Sequence, residues 1–164
     1  MSKFSSAPID KNEYLSRFVF SPIHLNRKGE IKPSLFSHVS TIGCSIQRET
    51  IASNDEIGNF ISKFLRNDIK YSWNGVLMAK SDDLRKVLVE STSARALCLY
   101  DTAEKDNPSH GEIHQTVDIN EADQIELRHD IMQAFVSAKK LTPNSYRNGD
   151  VLGIVPEQFK SQIA

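Results

Sequence analysis

The alternation of apolar and polar positions divides the chain into short strand-like runs and longer stretches of helical period. Tyr14 to Phe20 (YLSRFVF) is rich in β-branched and aromatic residues, and Pro22 closes it, so it reads as a strand. From Ser21 to Ser40 no period survives; Pro22, Gly29 and Pro33 punctuate a long loop with room for one turn of helix. Thr41 to Arg48 (TIGCSIQR) sets Ile42, Cys44 and Ile46 at alternate positions and predicts a second strand. Ser53 is placed to cap a helix. Asp55 and Glu56 fall in its first turn, and Ile57, Phe60, Ile61, Phe64 and Leu65 form one apolar stripe.

Trp73 to Ala79 (WNGVLMA) reads as a strand running into Ser81-Asp82-Asp83, which starts a short helix to about Glu90. Ala96 to Tyr100 (ALCLY) is a short buried strand, and Asp101 to Asp106 a polar connection. Another strand is expected near 111–117. Asp118 or Asn120 then caps the longest helix, to about Leu141. Its apolar residues Leu127, Ile131, Ala134, Phe135, Ala138 and Leu141 keep helical spacing, with Glu121 and Asp123 at its start and Lys139 and Lys140 at its end. The order predicts an α+β fold: a mainly antiparallel sheet with two or three helices packed on one face.

A chain of 164 residues suits one domain with a real core. Residues 1–12 read as a flexible lead-in and 13–164 as a single α+β domain. The net charge of −1 gives no general attraction to nucleic acid or to anionic membranes. The charge is unevenly spread: residues 1–80 carry 11 Lys+Arg against 7 Asp+Glu, and residues 81–164 carry 9 against 14. The first half is thus net positive and the second net negative. The opening MSKFSSAPIDKNEY holds no apolar stretch of signal-peptide length, and no run reaches the roughly 20 apolar residues of a membrane span. Cys44 and Cys98 lie apart in apolar segments and in no metal-ligand spacing, which predicts two buried thiols in a reducing cytoplasm.

Reactive side chains cluster in one place, "DNPSHGEIHQTV" at 106–117. Asn107-Pro108 signals a turn, so strands 96–100 and 111–117 are expected to pair as a hairpin. On a strand, side chains alternate faces; Ile113 and Val117 then turn to the core, with Gly111 and Gln115 on that side. His110, Glu112, His114 and Thr116 share the other face. Metal binding could use such a row, since His-x-Glu-x-His sets three donors along one face, but no ligand set closes a tetrahedral site and no metal is expected. Two-histidine phosphodiester chemistry could use it too, with His38-Val39-Ser40 and His114-Gln115-Thr116 as paired His-x-Ser/Thr motifs, one imidazole acting as base and one as acid. The plain alternative is a solvated polar face.

A second stretch, Ser21 to Phe36, carries Asn26-Arg27-Lys28-Gly29 as a turn with cations at its tip. Arg27, Lys28 and Lys32 with His24 would form a small positive patch suited to a phosphate or an acidic partner. A basic turn kept soluble by its charges explains the same residues. His129, between Arg128 and Asp130 in the long helix, reads as a surface residue.

The segments "HLNRKGEIKPSLF", "CSIQRE" and "NPSHGEI" resemble a set of short bacterial proteins of unassigned function. These share a His…Gly-x-Ile/Val-x-Pro/Ser-x-x-Phe loop of variable first spacing, a Ser-Val/Ile strand and an Asn-Pro-x-His-x-x-Ile motif. The matching positions are His24, Gly29, Ile31, Phe36, Ser45, Ile46, Asn107, Pro108, His110 and Ile113, and the similarity runs over roughly 17–114. The resemblance carries no established activity; it implies a bacterial origin and points to His110 rather than His114. Two expectations stand side by side. One is a small cytoplasmic accessory protein without cofactor that recognises a partner protein or nucleic acid through Arg27, Lys28, Lys32, His110 and Glu112. It would work inside a larger assembly such as an anti-phage defence system. The other is a histidine-dependent hydrolase or transferase acting on a phosphate-bearing substrate, like a phosphodiesterase or ribonuclease, with His24, His110 and His114 as candidate catalytic groups. No pattern in the chain specifies an oligomeric state.

Overall fold

The computed structural model describes residues 8–53, 55–56, 58–59 and 71–137. Its centre is a six-stranded sheet in the order β4-β5-β2-β1-β3-β6: β1 Tyr14–Ser21, β2 Cys44–Arg48, β3 Ser72–Lys80, β4 Leu97–Asp101, β5 His110–Gln115 and β6 Val136–Ser137. Every pairing is antiparallel. A 3₁₀ helix (Pro33–Ser40) and two α-helices, α1 (Ser81–Arg85) and α2 (Glu121–Ala134), complete the described elements. The α+β expectation holds.

One face of the sheet gathers Leu15 and Val19 of β1, Cys44 and Ile46 of β2, Leu77 and Ala79 of β3, Leu97 and Leu99 of β4 and Ile113 of β5 into a single buried cluster. Leu35, Phe36 and Val39 of the 3₁₀ helix, Leu84 of α1 and Leu127 and Ile131 of α2 close over it. Phe36 stacks on Phe135 at 5.2 Å between ring centroids. Burying each such side chain contributes about 1.5–3 kcal/mol, so this face holds the fold together. β1 is also buried on its opposite face, through Tyr14, Phe18 and Phe20. That explains why YLSRFVF shows no clean alternation: a central strand covered on both sides needs apolar residues at both parities.

Several expected boundaries move. Residues 8–12 are no loose lead-in. Pro8 bridges Tyr100 on the free side of β4, Ile9 N–H donates to Leu99 O, and the Ile9 side chain is in the core. The loop after β1 is more structured than its sequence suggests. Leu25 and Ile31 pair across a tight turn in which Asn26 Oδ1 accepts from the N–H groups of Lys28 and Glu30, and the 3₁₀ helix follows. β2 begins only at Cys44, because Gly43 has a positive φ and Ile42 is left exposed.

Ser53 and Glu56 cap each other's N–H groups, a capping box. The stripe Ile57, Phe60, Ile61, Phe64 and Leu65 lies outside the described residues. α1 stops at Arg85 rather than Glu90, as Val87 to Arg95 turn back on themselves. Asn120 caps α2 through Asp123 N–H, but the helix ends at Ala134 and not near Leu141. Phe135 is extended and Val136 pairs with Met78, because β3 offers a free edge that β-branched Val136 can extend. Ala138, Lys139, Lys140 and Leu141 lie outside the described residues.

Candidate functional site

β1 and β2 are neighbours that soon part. They pair only at Leu15↔Arg48 and Ser16↔Gln47, although both strands continue. Beyond Ser16 the Arg17 side chain replaces the backbone ladder: Nη1 donates to Ser45 O at 2.9 Å and Nη2 to Leu35 O at 3.3 Å. A cleft of about 200 Å³ opens in the gap. Arg17, Phe18 and Phe20 line it from β1, Ser45, Ile46 and Gln47 from β2, and His110 from β5. Ile23 and His24, from the turn after β1, and His38, from the 3₁₀ helix, complete its rim. Three histidines and an arginine thus meet in one place, and no acidic residue lines it among the described residues.

Each group has a definite electrostatic setting. Arg17 makes no ion pair among the described residues, and its Nε is buried without a partner. Two of its five donors are spent on carbonyls. His24 Nδ1 accepts from Phe20 N–H at 3.0 Å, while Phe20 O accepts from His24 N–H. Burial, with help from the nearby Arg17 and Lys32 charges, lowers the His24 pKa from 6.5 to about 4. Its ring is neutral at neutral pH, and with Nδ1 accepting, the proton sits on Nε2.

His110 is buried, with Nδ1 2.8 Å from Thr102 Oγ1 and 3.2 Å from Thr102 O. A carbonyl only accepts, so the Thr102 O contact calls for the proton on Nδ1, and a neutral ring so held offers a lone pair at Nε2. His38 is exposed.

Behind His110 the Asn107-Pro108-Ser109 turn is a buried polar hub. Gln47 Nε2 donates to Asn107 Oδ1 at 3.0 Å, and Ser109 Oγ donates to Glu56 Oε2 at 2.9 Å. These bonds tie the turn to β2 and to the helix start at Ser53. "NPSH" is a rigid corner presenting one imidazole.

The other expected groups go elsewhere. His114 lies in a separate cleft with Ser40, Thr41 and Thr116, and His38 is on a 3₁₀ helix that faces the Arg17 cleft. Val39 and Ser40 of the first His-x-Ser/Thr motif thus meet His114, Gln115 and Thr116 of the second, but His38 lines the other cleft, so the two histidines do not share one. His114 Nε2 is 2.8 Å from Glu112 Oε2, so the candidate binding residue Glu112 is engaged by its neighbour. Val117, expected in the core, is exposed, since β5 ends at Gln115. Cys98 is half-buried rather than buried. Arg27 and Lys28 are exposed at the turn tip, without ion pairs among the described residues, and line no part of the cleft; Lys32 lies near His24. Among the described residues, no three His, Cys, Asp or Glu side chains gather as a metal site.

Arg17 and Gln47 belong to no motif, and sequence reasoning missed them; Ser45 entered only as a matching position of the resemblance, with no role assigned. One signal was available for Arg17: it is the single charge inside a strand buried on both faces, and such a charge is rare without a purpose. No protein-family model, curated protein or solved structure matches the chain.

Proposed function

We propose that the protein recognises a phosphate-bearing partner, the end of a nucleic-acid strand, in the cleft between β1 and β2. One observation carries this reading: a guanidinium that has no ion pair among the described residues stands in a cleft with three histidines and, among those residues, no lining carboxylate. An uncompensated cation in a partly dry site attracts an anion far more than a surface lysine does. The Arg27 and Lys28 tip, on the same 22–32 segment that supplies Ile23 and His24, would add salt-sensitive contacts to neighbouring phosphates. A small recognition subunit within a larger assembly fits this surface. Its two free thiols suit the reducing cytoplasm, and no helix among the described residues is long and apolar enough to cross a membrane.

Fluorescence anisotropy with a labelled single-stranded RNA octamer tests the reading. Arg17→Gln, which loses the charge and keeps one amide donor, should weaken binding at least about tenfold, as for a charge-assisted hydrogen bond. Equal binding by the variant, or none by the parent at low salt, overturns the proposal.

His38 and His110 support a second reading, a hydrolase or transferase for phosphodiesters. One imidazole would take the proton from the attacking hydroxyl while the other protonates the leaving oxygen. Cleavage of the octamer, lost in His38→Gln and in His110→Gln, would favour it over binding alone.

A further inference from the structure

The cleft leaves each polar group a fixed role, and together the roles describe a ligand. Arg17 supplies a positive charge with donors to spare. His24, with Nδ1 occupied by Phe20 N–H, can only donate to a ligand, through Nε2–H. A neutral His110 whose Nδ1–H is given to Thr102 O offers a ligand an acceptor, Nε2. Phe18, Phe20, Ile23 and Ile46 provide an apolar wall beside them. The matching ligand needs an anionic group, a hydroxyl or N–H donor a few ångströms away, and a flat apolar body.

We propose that the ligand unit is a ribonucleotide, with its phosphate at Arg17 and His24, a ribose hydroxyl donating to His110 Nε2, and its base against the apolar wall. This rests on the phosphate-binding reading above and adds a specificity: His110 is the residue that distinguishes a ribose from a sugar lacking its hydroxyls. A cleft of about 200 Å³ excludes a duplex and would enclose only part of a nucleotide, the rest lying at its open mouth. A phosphoserine or phosphothreonine would supply the anion but no flat body, and a phosphotyrosine a flat body but no hydroxyl for His110.

Calorimetric titration of the whole chain at low salt separates the possibilities, with AMP, 2′,3′-dideoxyadenosine 5′-monophosphate, ribose 5-phosphate and inorganic phosphate as probes. AMP should bind about tenfold tighter than the dideoxy compound, the loss expected for one hydrogen bond to a buried acceptor. It should also bind tighter than ribose 5-phosphate, which lacks the base. His110→Asn, whose amide can donate to Thr102 O in place of Nδ1 but does not reach the Nε2 position, should bring AMP and the dideoxy compound to within about threefold of each other. Equal affinity of the parent protein for AMP and the dideoxy compound overturns the ribose assignment and leaves the phosphate reading standing. AMP binding no tighter than ribose 5-phosphate overturns the base contact. Failure of all four probes removes both readings. The parent protein alone decides these outcomes, whatever the stability of the variant.

Discussion

His110 and His114 leave the same strand on the same face, four residues apart, and end in different chemistry. His110 sits opposite Gln47, at the last β1–β2 pair before those strands part; its Nδ1 is held by Thr102 and it lines the cleft. His114 sits where β5 lies close against Gly43. Its Nε2 is taken by Glu112, and Tyr100 packs edge-on against its ring at 5.6 Å. Gly43 is a roof with no spare height: a Cβ there would lie 2.4 Å from His114 Nε2 and 2.9 Å from Glu112 Oε2. The strand period decides which side chains share a face. The neighbouring strands decide whether a side chain is left with a function or only with a partner.

The contrast can be broken most strongly at Gly43. Gly43→Ala adds a methyl group in a left-handed backbone (φ +93) and against the His114–Glu112 pair, so urea denaturation should show a loss of about 3 kcal/mol. In Gly43→Ala/His114→Ala the clash is relieved, and about 1 kcal/mol of backbone strain should remain. A single variant within 0.5 kcal/mol of the parent, a roughly neutral effect, would mean the His114 end is as open as the His110 end.

Acid should weaken the cleft side next. The folded His24 pKa of about 4 lies below its ordinary 6.5, so between these values the unfolded chain binds more protons. Stability is therefore fully present above about pH 6.5 and falls as pH drops towards 4. For this half-buried ring the loss should be about 2 kcal/mol. His24→Asn, which keeps an acceptor for Phe20 N–H but does not titrate, should flatten that part of the melting-temperature profile. An unchanged profile would place the acid sensitivity elsewhere.

Glu112→Gln sharpens the comparison from the other side. It removes the charge beside His114 and should cost about 1 kcal/mol, with RNA-octamer affinity unchanged because Glu112 does not line the Arg17 cleft. A loss of affinity would join the two ends of β5 into one site. The smallest effect on folding belongs to Arg27→Ala with Lys28→Ala, which should stay within about 0.5 kcal/mol of the parent. The same double change should weaken octamer binding, more at low salt than at high.

Local pattern by itself determined the fold class, the β4–β5 hairpin, the capping of helices at Ser53 and Asn120, and the shared face of His110, Glu112 and His114. Each of these follows from a period of two or from a side chain bonding within a few residues, so no distant contact is needed to produce it. Tertiary structure alone decided the rest. α2 ends at Ala134 because β3 offers an edge to Val136. Residues 8–12 are ordered because β4 offers one to Pro8 and Ile9. Arg17, inconspicuous in YLSRFVF, stands between two strands that separate after two pairs and so joins His24, His38 and His110, from three other segments, in one cleft. A divergence between strands 30 residues apart along the chain leaves no mark on either sequence, since each strand keeps its own period whether or not its neighbour stays beside it.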